Sequence, residues 1–150
     1  MSEFSLPEFA DKINEVMPIL FKEFARRQTN ELFKGKITLP QFLVLALLHK
    51  EGEAKMSDLA ASLKVTTPAM TGISDRLVRY GYISRSNDLK DRRITKVKLT
   101  AKGLDLVKRI DEQRQQMIIN IFGKISQADR QEYLRILTKI KGIVTQENPG

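Results

Sequence analysis

The order of elements between Met56 and Leu99 constrains the fold of this 150-residue chain more than any other feature of its sequence. Leu59 and Leu63 lie four residues apart, which predicts one face of a short helix. The dipeptide Lys64-Val65 then predicts a tight turn. A second helix is expected to follow at once, because Thr66 is a favourable N-cap residue.

This second helix leads into a pair of strands. It carries Pro68 in its first turn, and Gly81 is typical of the position just beyond a helix end. The alternation over Ile94–Leu99 is more typical of a strand than of a helix. With Tyr82–Arg85 it predicts a β-hairpin whose tip, residues 86–93, is polar. Two short helices, a tight turn and a β-hairpin define a winged helix-turn-helix.

Helices with apolar stripes flank this segment on both sides. Their predicted starts are Ser5 and Thr38 before it, and Thr100 and Ser126 after it. Pro18 lies inside the first helix and is expected to kink or divide it. The end helices leave more apolar surface than the central segment covers, which predicts pairing with a second copy. The predicted fold class is therefore mainly α, a winged helix-turn-helix with one β-hairpin wing within an α-helical dimer.

The charge of the chain favours a polyanionic partner. It has 26 basic and 18 acidic residues, a formal net charge of +8. A basic protein without such a partner is the alternative, and the position of the charge decides between them. Residues 85–98 hold two acidic residues against six basic ones: Arg85, Lys90, Arg92, Arg93, Lys96 and Lys98. A hairpin needs no such charge to fold, so a DNA contact is favoured over a solvated loop.

Several classes of function are disfavoured by composition. The absence of cysteine excludes disulfides, thiolate catalysis and thiol-based redox sensing. The one histidine, His49, is too few for a zinc or iron site, and we expect it to be structural or a C-terminal cap rather than a pH or ligand sensor. No nucleophile–base pair or phosphate loop points to an enzyme, and no cofactor or metal is expected. Without a membrane-spanning run or a signal peptide, a soluble cytoplasmic protein is expected.

The second short helix is the candidate for entry into a major groove of DNA. Its N-terminal surface offers hydroxyls and small apolar groups to base edges and phosphates: Thr66, Thr67, Pro68, Ala69 and Thr71. Arg76 and Arg79 lie further along and are better placed for the DNA backbone. From the helix alone, the alternative that Thr66 and Pro68 serve only as cap residues is equally open. A winged helix used for protein or RNA contacts is also an alternative, against which the basic wing tip weighs.

One motif resembles a known family. Asp91-Arg92-Arg93 is followed after five residues by Leu99-Thr100 and then by Gly103. This resembles the wing signature of the MarR family of bacterial regulators, an Asp-x-Arg tip leading into Leu-Thr-x-x-Gly. Asp58-Leu59-Ala60 and parts of the stretch Ser74–Ile83 are similar to the two short helices of that family. The order of elements matches over essentially the whole chain.

The resemblance implies a function. It implies a homodimer held by the first and last helices of both subunits, with residues 1–36 and 101–150 for dimerisation and residues 37–100 for binding double-stranded DNA. It also implies pseudo-palindromic operators, usually repression, and release by a small aromatic or phenolic ligand. That ligand would lie between the dimer helices and the DNA-binding region.

The resemblance also implies roles for wing residues. Arg93 matches the family's wing arginine, which reaches into a minor groove, and Asp91 matches the acid that holds the wing. Asp75 and Arg85 match positions that brace the wing through ion pairs. If strand pairing continues to the tip, Arg92 points away from Arg93, because side chains alternate along a strand. The remaining candidate DNA contacts of the wing are Lys90, Arg92 and Lys96.

Two further expectations concern Gly72 and a ligand pocket. Gly72 stands where many relatives carry a larger, often basic, side chain, so it either permits close approach to DNA or reduces base contacts. The candidate ligand pocket consists of Met17, Phe21, Phe24 and Phe42. A packed core is the favoured alternative for these four side chains.

Overall fold

A computed structural model describes residues 3–27 and 37–147 of the chain. The elements, in chain order, are α1 (Leu6–Arg27), α2 (Leu39–Glu51), β1 (Glu53–Lys55), α3 (Met56–Leu63), α4 (Thr67–Arg79), β2 (Ile83–Asn87), β3 (Thr95–Leu99), α5 (Ala101–Phe122) and α6 (Gln127–Glu147). The boundary between two compact units falls within α5, after Arg114. Among the described residues, no helix combines the length and apolarity that a membrane crossing requires. The predicted mainly helical winged fold is confirmed.

Helix α1 is continuous through Pro18, so the expected division of this helix is wrong. Its start is the predicted one, because the Ser5 N–H donates to Glu8 Oε2 at 2.9 Å. A proline inside a helix removes the bond to the carbonyl four residues earlier, here that of Asn14. Asn14 is exposed, so water can satisfy that carbonyl and the helix need not break.

The core of the first unit is assembled around α2. Thr38 forms the predicted capping box: Gln41 N donates to Thr38 Oγ1 at 3.3 Å, and Thr38 N donates to Gln41 Oε1 at 3.1 Å. The buried apolar side chains are Ile37, Phe42, Val44, Leu45, Leu48, Leu59, Ala60, Met70, Leu77, Ile83, Val97, Leu106, Val107 and Ile110. They come from every helix from α2 to α5 and from the sheet, so the core holds the helix-turn-helix and the wing base together.

The sheet has three strands in the order β1-β3-β2, all antiparallel. The predicted hairpin is confirmed, with Ile83 opposite Leu99 and Asn87 opposite Thr95. The sequence analysis did not predict β1, in which Glu53 lies opposite Lys98 and Lys55 opposite Lys96. Strand β3 is therefore the central strand, and the wing is anchored to the segment that precedes α3.

The second unit contains the end of α5 and all of α6. Ser126 caps α6 as predicted, accepting from Asp129 N at 3.0 Å. The Arg130 guanidinium donates to the Phe122 carbonyl at 3.0 Å, and the Phe122 and Tyr133 rings stack with centroids 5.4 Å apart. The apolar side chains along α6 are exposed in the single chain: Leu134, Ile136, Leu137, Ile140, Ile143 and Val144.

Candidate nucleic-acid interface

The turn between α3 and α4 has the tight geometry that the sequence predicts. Lys64 adopts the left-handed conformation, with φ of 54°, and Val65 N donates to the Ala60 carbonyl at 3.0 Å. Thr66 caps α4, accepting from Ala69 N at 3.2 Å. These local bonds end α3 and start α4 within three residues. They set the angle at which α4 leaves the turn.

Helix α4 divides into a buried face and an exposed face. Met70, Ser74 and Leu77 are buried in the core. The predicted base-reading surface is exposed throughout: Thr66, Thr67, Pro68, Ala69 and Thr71. Thr71 Oγ1 donates to the Thr67 carbonyl at 3.0 Å, so its hydroxyl hydrogen is already used and its oxygen is free to accept. Arg76 and Arg79 are exposed in the last turn, as expected.

An ion pair joins α4 to the wing. Arg85 Nη1, on β2, lies 2.5 Å from Asp75 Oδ1 on α4. The two residues that the family resemblance assigns to wing bracing are therefore in contact. This contact fixes the base of β2 against the helix that carries the candidate base-reading residues.

At the wing tip, Asp91 binds Arg93 through three hydrogen bonds. Arg93 N and Nε donate to Asp91 Oδ1 at 3.0 and 3.1 Å, and Nη2 donates to Oδ2 at 3.1 Å. Hydrogen bonds from the Arg93 side chain and then its backbone N–H lower the pKa of Asp91, and the pairing raises the pKa of Arg93. Both groups are therefore charged at neutral pH. The Arg93 side chain is nevertheless 91% exposed, so its outer donors face solvent.

Alternation of Arg92 and Arg93 is expected only if strand pairing continues to the tip, and it does not. Strand β3 begins only at Thr95, and both arginines lie in a turn that Ile94 N closes by donating to the Asp91 carbonyl at 3.0 Å. Inside this turn the Asp91 side chain accepts a hydrogen bond from the Arg93 backbone N–H. This bond takes the place of a hydrogen bond between paired strands. Arg92 and Lys90 are exposed beside Arg93.

Lys96, a candidate DNA contact of the wing, is paired with two carboxylates in the free chain. Its Nζ lies 3.0 Å from Asp88 Oδ2 and 3.5 Å from Glu53 Oε1. Asp88, first through a bond from Lys90 N and then through Lys96, has a lowered pKa, and Lys96 has a raised pKa, mainly because of Asp88.

A cleft of about 380 Å³ separates the recognition helix α4 from the wing. Its lining brings together four of the predicted residues, Thr67, Thr71, Arg85 and Arg93. It also contains five residues that the sequence analysis missed: Lys55, Met56, Ser57, Ile94 and Thr95. Only knowledge of β1 would have placed Lys55 and Ser57 beside the recognition helix. Arg76, Arg79, Lys90 and Arg92 lie outside this cleft.

The Leu-Thr-x-x-Gly motif joins the wing to α5. Thr100 N donates to the Tyr82 carbonyl at 3.0 Å, Thr100 Oγ1 donates to the Gly81 carbonyl, and Gly103 N donates to Thr100 Oγ1 at 3.1 Å. A Cβ atom on Gly103 would lie 2.0 Å from the Tyr82 carbonyl oxygen. The motif is therefore a close contact between the start of α5 and the chain entering β2.

The four candidate ligand-pocket residues have different environments. Phe42 is buried in the core, with the Arg114 guanidinium 5.5 Å from its ring centroid. Met17 and Phe21 are exposed on α1, and Phe24 is half-buried. In the single chain, the packed-core interpretation holds for Phe42 and is wrong for Met17 and Phe21.

Two other predicted features lie in or beside the helix-turn-helix. His49 is exposed in the last turn of α2, the end at which a positive charge is favourable. Across the described residues there is no group of three or more metal-ligating side chains that could hold an ion. Gly72 lies on the exposed face of α4, with open space around the position of a Cβ.

Replacing Gly72 by alanine separates the two interpretations of that residue. The free energy of unfolding is expected to rise by about 0.5–1 kcal/mol, because glycine inside a helix costs that much relative to alanine. If DNA lies close to Gly72, affinity for duplex DNA falls despite the gain in stability. Thermal unfolding and DNA binding of the same variant measure both. Higher stability with unchanged DNA affinity would show that DNA does not approach Gly72 closely. The interpretation that glycine merely reduces base contacts at this position would then remain.

Comparisons with known proteins agree on one family. The model described as MarR family matches residues 37–95. The uncharacterized HTH-type transcriptional regulator YhbI of Bacillus subtilis is 30% identical over 114 residues, covering 76% of this chain and 71% of YhbI. The HTH-type transcriptional repressor MdtR of Bacillus subtilis is 31% identical over 99 residues, covering 66% of this chain and 64% of MdtR.

Solved structures show the same fold. RV1404 from Mycobacterium tuberculosis is similar with a TM-score of 0.80 and 28% identity, covering 95% of this chain and 96% of RV1404. Streptococcus pneumoniae FabT, solved in complex with DNA, is similar with a TM-score of 0.80 and 20% identity, covering 93% of this chain and 99% of FabT. The similarity extends over nearly the full length of each chain, well beyond the helix-turn-helix.

Proposed function

The chain belongs to the MarR family of DNA-binding transcriptional regulators, which are not enzymes, and we propose that it is a cytoplasmic repressor that binds a pseudo-palindromic operator as a homodimer. The observation that carries this proposal is the cleft in which Thr67 and Thr71 of α4 face Arg85 and Arg93 of the wing. MdtR is named a repressor, and FabT has been solved with DNA, which supports the same activity here.

The two sides of this cleft, helix α4 and the wing, can each enter a groove of duplex DNA. A helix with an exposed N-terminal surface fits a major groove, where hydroxyls bond base edges. The wing then reaches the flanking minor groove, where the negative potential attracts arginine. We assign residues 37–100 to DNA binding, with base contacts from the start of α4, a minor-groove contact from Arg93, and backbone contacts from Arg76 and Arg79.

The threonines of α4 are expected to determine which base pairs are preferred. Thr67→Ala and Thr71→Ala should change the preference at the affected positions by about 1–3 kcal/mol. Thr71 is expected to read a base amino group, because its own hydroxyl hydrogen is bonded to the Thr67 carbonyl. Selection of duplexes from random DNA by the full-length protein and by each variant measures this. Arg79→Ala is the control, expected to weaken all sequences alike.

If the threonine variants weakened every duplex equally, as Arg79→Ala should, these hydroxyls would only position the helix. If no duplex were enriched by the wild-type protein, the proposed function itself would be wrong. Selective binding from a separate pool of random RNA would then favour the alternative use of a winged helix.

Homodimerisation is proposed from the apolar faces that the single chain leaves exposed. Phe9, Ile13 and Leu20 on α1 are 40–52% exposed, and Leu137 and Ile140 on α6 are 41% and 48% exposed. Apolar faces of this extent at both ends of a chain are typical of an interface. We therefore assign residues 1–36 and 101–150 to dimerisation.

Truncation after Gly123 is expected to lower solubility and DNA affinity together, because it removes α6 and with it half of the proposed interface. The double variant Leu137→Glu/Ile140→Glu should dissociate the dimer with the helix retained, and Gln131→Glu on the same helix is the control. Analytical ultracentrifugation measures the oligomeric state. A stable, monodisperse wild-type monomer at micromolar concentration would rule out the dimer.

We also propose release of the DNA by a small aromatic or phenolic ligand. Its candidate residues are Met17, Phe21, Phe24 and Phe42, of which α1 carries three. Because Met17 and Phe21 are exposed in the single chain, a pocket there needs the second copy to cover it. We expect a panel of small phenols to include one that weakens binding of the wild-type protein to its operator and has no such effect on Phe21→Ala.

A further inference from the structure

We propose that Lys96 is a positioning residue for Arg93, acting through a continuous chain of contacts from β1 to the wing tip, and not a contact to DNA phosphate. These contacts lead from Glu53 through Lys96 and Asp88 to Asp91, and from there to Arg93. This inference rests on the proposed binding of duplex DNA through the wing.

Each of these contacts joins two polar groups. Lys96 Nζ bridges Glu53 Oε1 and Asp88 Oδ2 at 3.5 and 3.0 Å. The other oxygen of Asp88, Oδ1, accepts from Lys90 N at 2.7 Å and from Asp91 N at 3.2 Å. Asp91 then accepts the three bonds from Arg93. The position of the guanidinium thus depends on a carboxylate that Lys96 holds from the sheet.

The exposure of these groups supports the assignment. The Asp88 side chain is 18% exposed and that of Lys96 is 33% exposed, against 91% for Arg93. Two carboxylates surround the one ammonium, so the local net charge is negative and disfavours a phosphate at Lys96. Two backbone bonds also hold the tip, from Asp88 N to the Ile94 carbonyl at 2.9 Å and from Ile94 N to the Asp91 carbonyl at 3.0 Å, but neither reaches the Arg93 side chain.

The two roles for Lys96 differ in their dependence on salt. A phosphate contact gives up counterions, so its loss changes the slope of log affinity against log salt by about 0.9 and weakens all duplexes alike. Loss of a positioning contact leaves the slope for random duplex unchanged and weakens the operator more than random duplex. For Lys96→Met we expect an operator affinity on the order of tenfold lower, typical of a lost charged hydrogen bond, with an unchanged slope for random duplex.

Asp88→Asn is the second variant. It keeps an oxygen for Lys90 N and Asp91 N but loses the charge that pairs with Lys96. Electrostatics alone predicts tighter DNA binding by Asp88→Asn, since a negative charge is removed, whereas positioning predicts weaker binding. Lys96→Arg should recover most of the affinity. Lys98→Met removes the same charge from the same strand, and we expect it to have a smaller effect that is equal for operator and random duplex.

A measurement without DNA tests the inference independently of the proposed function. Hydrogen exchange at the Lys90 and Asp91 amides should be about tenfold faster in Lys96→Met, because Asp88 no longer holds them as firmly, and unchanged in Lys98→Met. Unchanged exchange in Lys96→Met, a slope for random duplex reduced by about 0.9, or tighter binding by Asp88→Asn would overturn the inference. A wild-type protein that bound no duplex would refute the proposed function alone, and the exchange result would still decide the role of Lys96.

Discussion

Replacing Gly103 by alanine is expected to lower the free energy of unfolding by about 3 kcal/mol or more, the upper range for an overpacked buried site. Gly103 is buried in the first turn of α5, and an added Cβ would lie 2.0 Å from the Tyr82 carbonyl oxygen. Rotation of a side chain cannot relieve this contact, because a Cβ atom is fixed by its own backbone and the Tyr82 carbonyl oxygen is a backbone atom. The start of α5 must move away from the chain entering β2.

The same movement is expected to disturb the wing. Thr100 N donates to the Tyr82 carbonyl and Thr100 Oγ1 to the Gly81 carbonyl, so these bonds would be stretched when α5 shifts. DNA affinity should fall along with stability. Chemical denaturation and DNA binding of Gly103→Ala measure the two effects.

Gly142→Ala is the matched control. Gly142 also lies in a helix, α6, but has open space around the position of a Cβ. Its replacement should raise stability by about 0.5–1 kcal/mol. Opposite signs for the two variants would confirm the close contact at Gly103, whereas a Gly103→Ala protein as stable as wild type would show that α5 does not approach Tyr82 this closely.

Arg93→Ala is expected to cause the largest loss of operator affinity of any single wing substitution, roughly 10- to 100-fold. Arg93 lines the cleft with Thr67 and Thr71, and its donors beyond the Asp91 pair face solvent. Arg92 lies outside that cleft, so Arg92→Ala should have a mild effect.

Among the Arg92, Arg93 and Asp91 variants, Asp91→Ala best separates an electrostatic role from a positioning role. Electrostatics alone predicts tighter binding, because a negative charge beside DNA is removed. The three hydrogen bonds from Arg93 to Asp91 predict weaker binding instead, because without them the guanidinium is no longer held in one place. Affinities of the three variants at one salt concentration decide the matter. Equal losses for Arg92→Ala and Arg93→Ala would leave only a diffuse basic patch.

Features that depend on local hydrogen bonding could be predicted from the sequence. Thr38, Thr66 and Ser126 cap helices where expected, because an N-cap hydroxyl accepts from an amide only three residues away. Gly81 has a positive φ of 80° just after α4, where glycine costs least. The order of helices and hairpin follows from such signals, and with it the winged fold.

Features that depend on distant residues could not be predicted. Strand β1 has three residues, and its pairing with β3 joins segments more than forty residues apart, as Glu53 opposite Lys98 shows. Without β1, nothing placed Lys55 in the cleft or Glu53 beside Lys96. The close contact at Gly103 is likewise tertiary, and only its motif was visible in the sequence.

The polar tip over residues 86–93 was predicted, but its internal geometry was not. Opposite faces for Arg92 and Arg93 required strand pairing up to the tip, whereas the carboxylates of Asp88 and Asp91 accept backbone bonds and make a turn. Aspartate carboxylates compete with the neighbouring strand for backbone N–H groups. Whether a turn or a strand forms depends on which of these N–H groups the strand leaves unpaired. The ion pairs of Lys96 were not predicted either, because its partner Glu53 lies on β1.

We propose that the recognition helix and the wing together bind a specific duplex. Equilibrium binding of the full-length protein tests this, with a duplex that it selects from random DNA compared with a shuffled duplex of equal length and composition at two salt concentrations. The expected result is a preference of roughly 10³-fold or more for the selected duplex, with a steep loss of affinity on both as salt rises. Equal affinity for the two duplexes at both salt concentrations would contradict the claim.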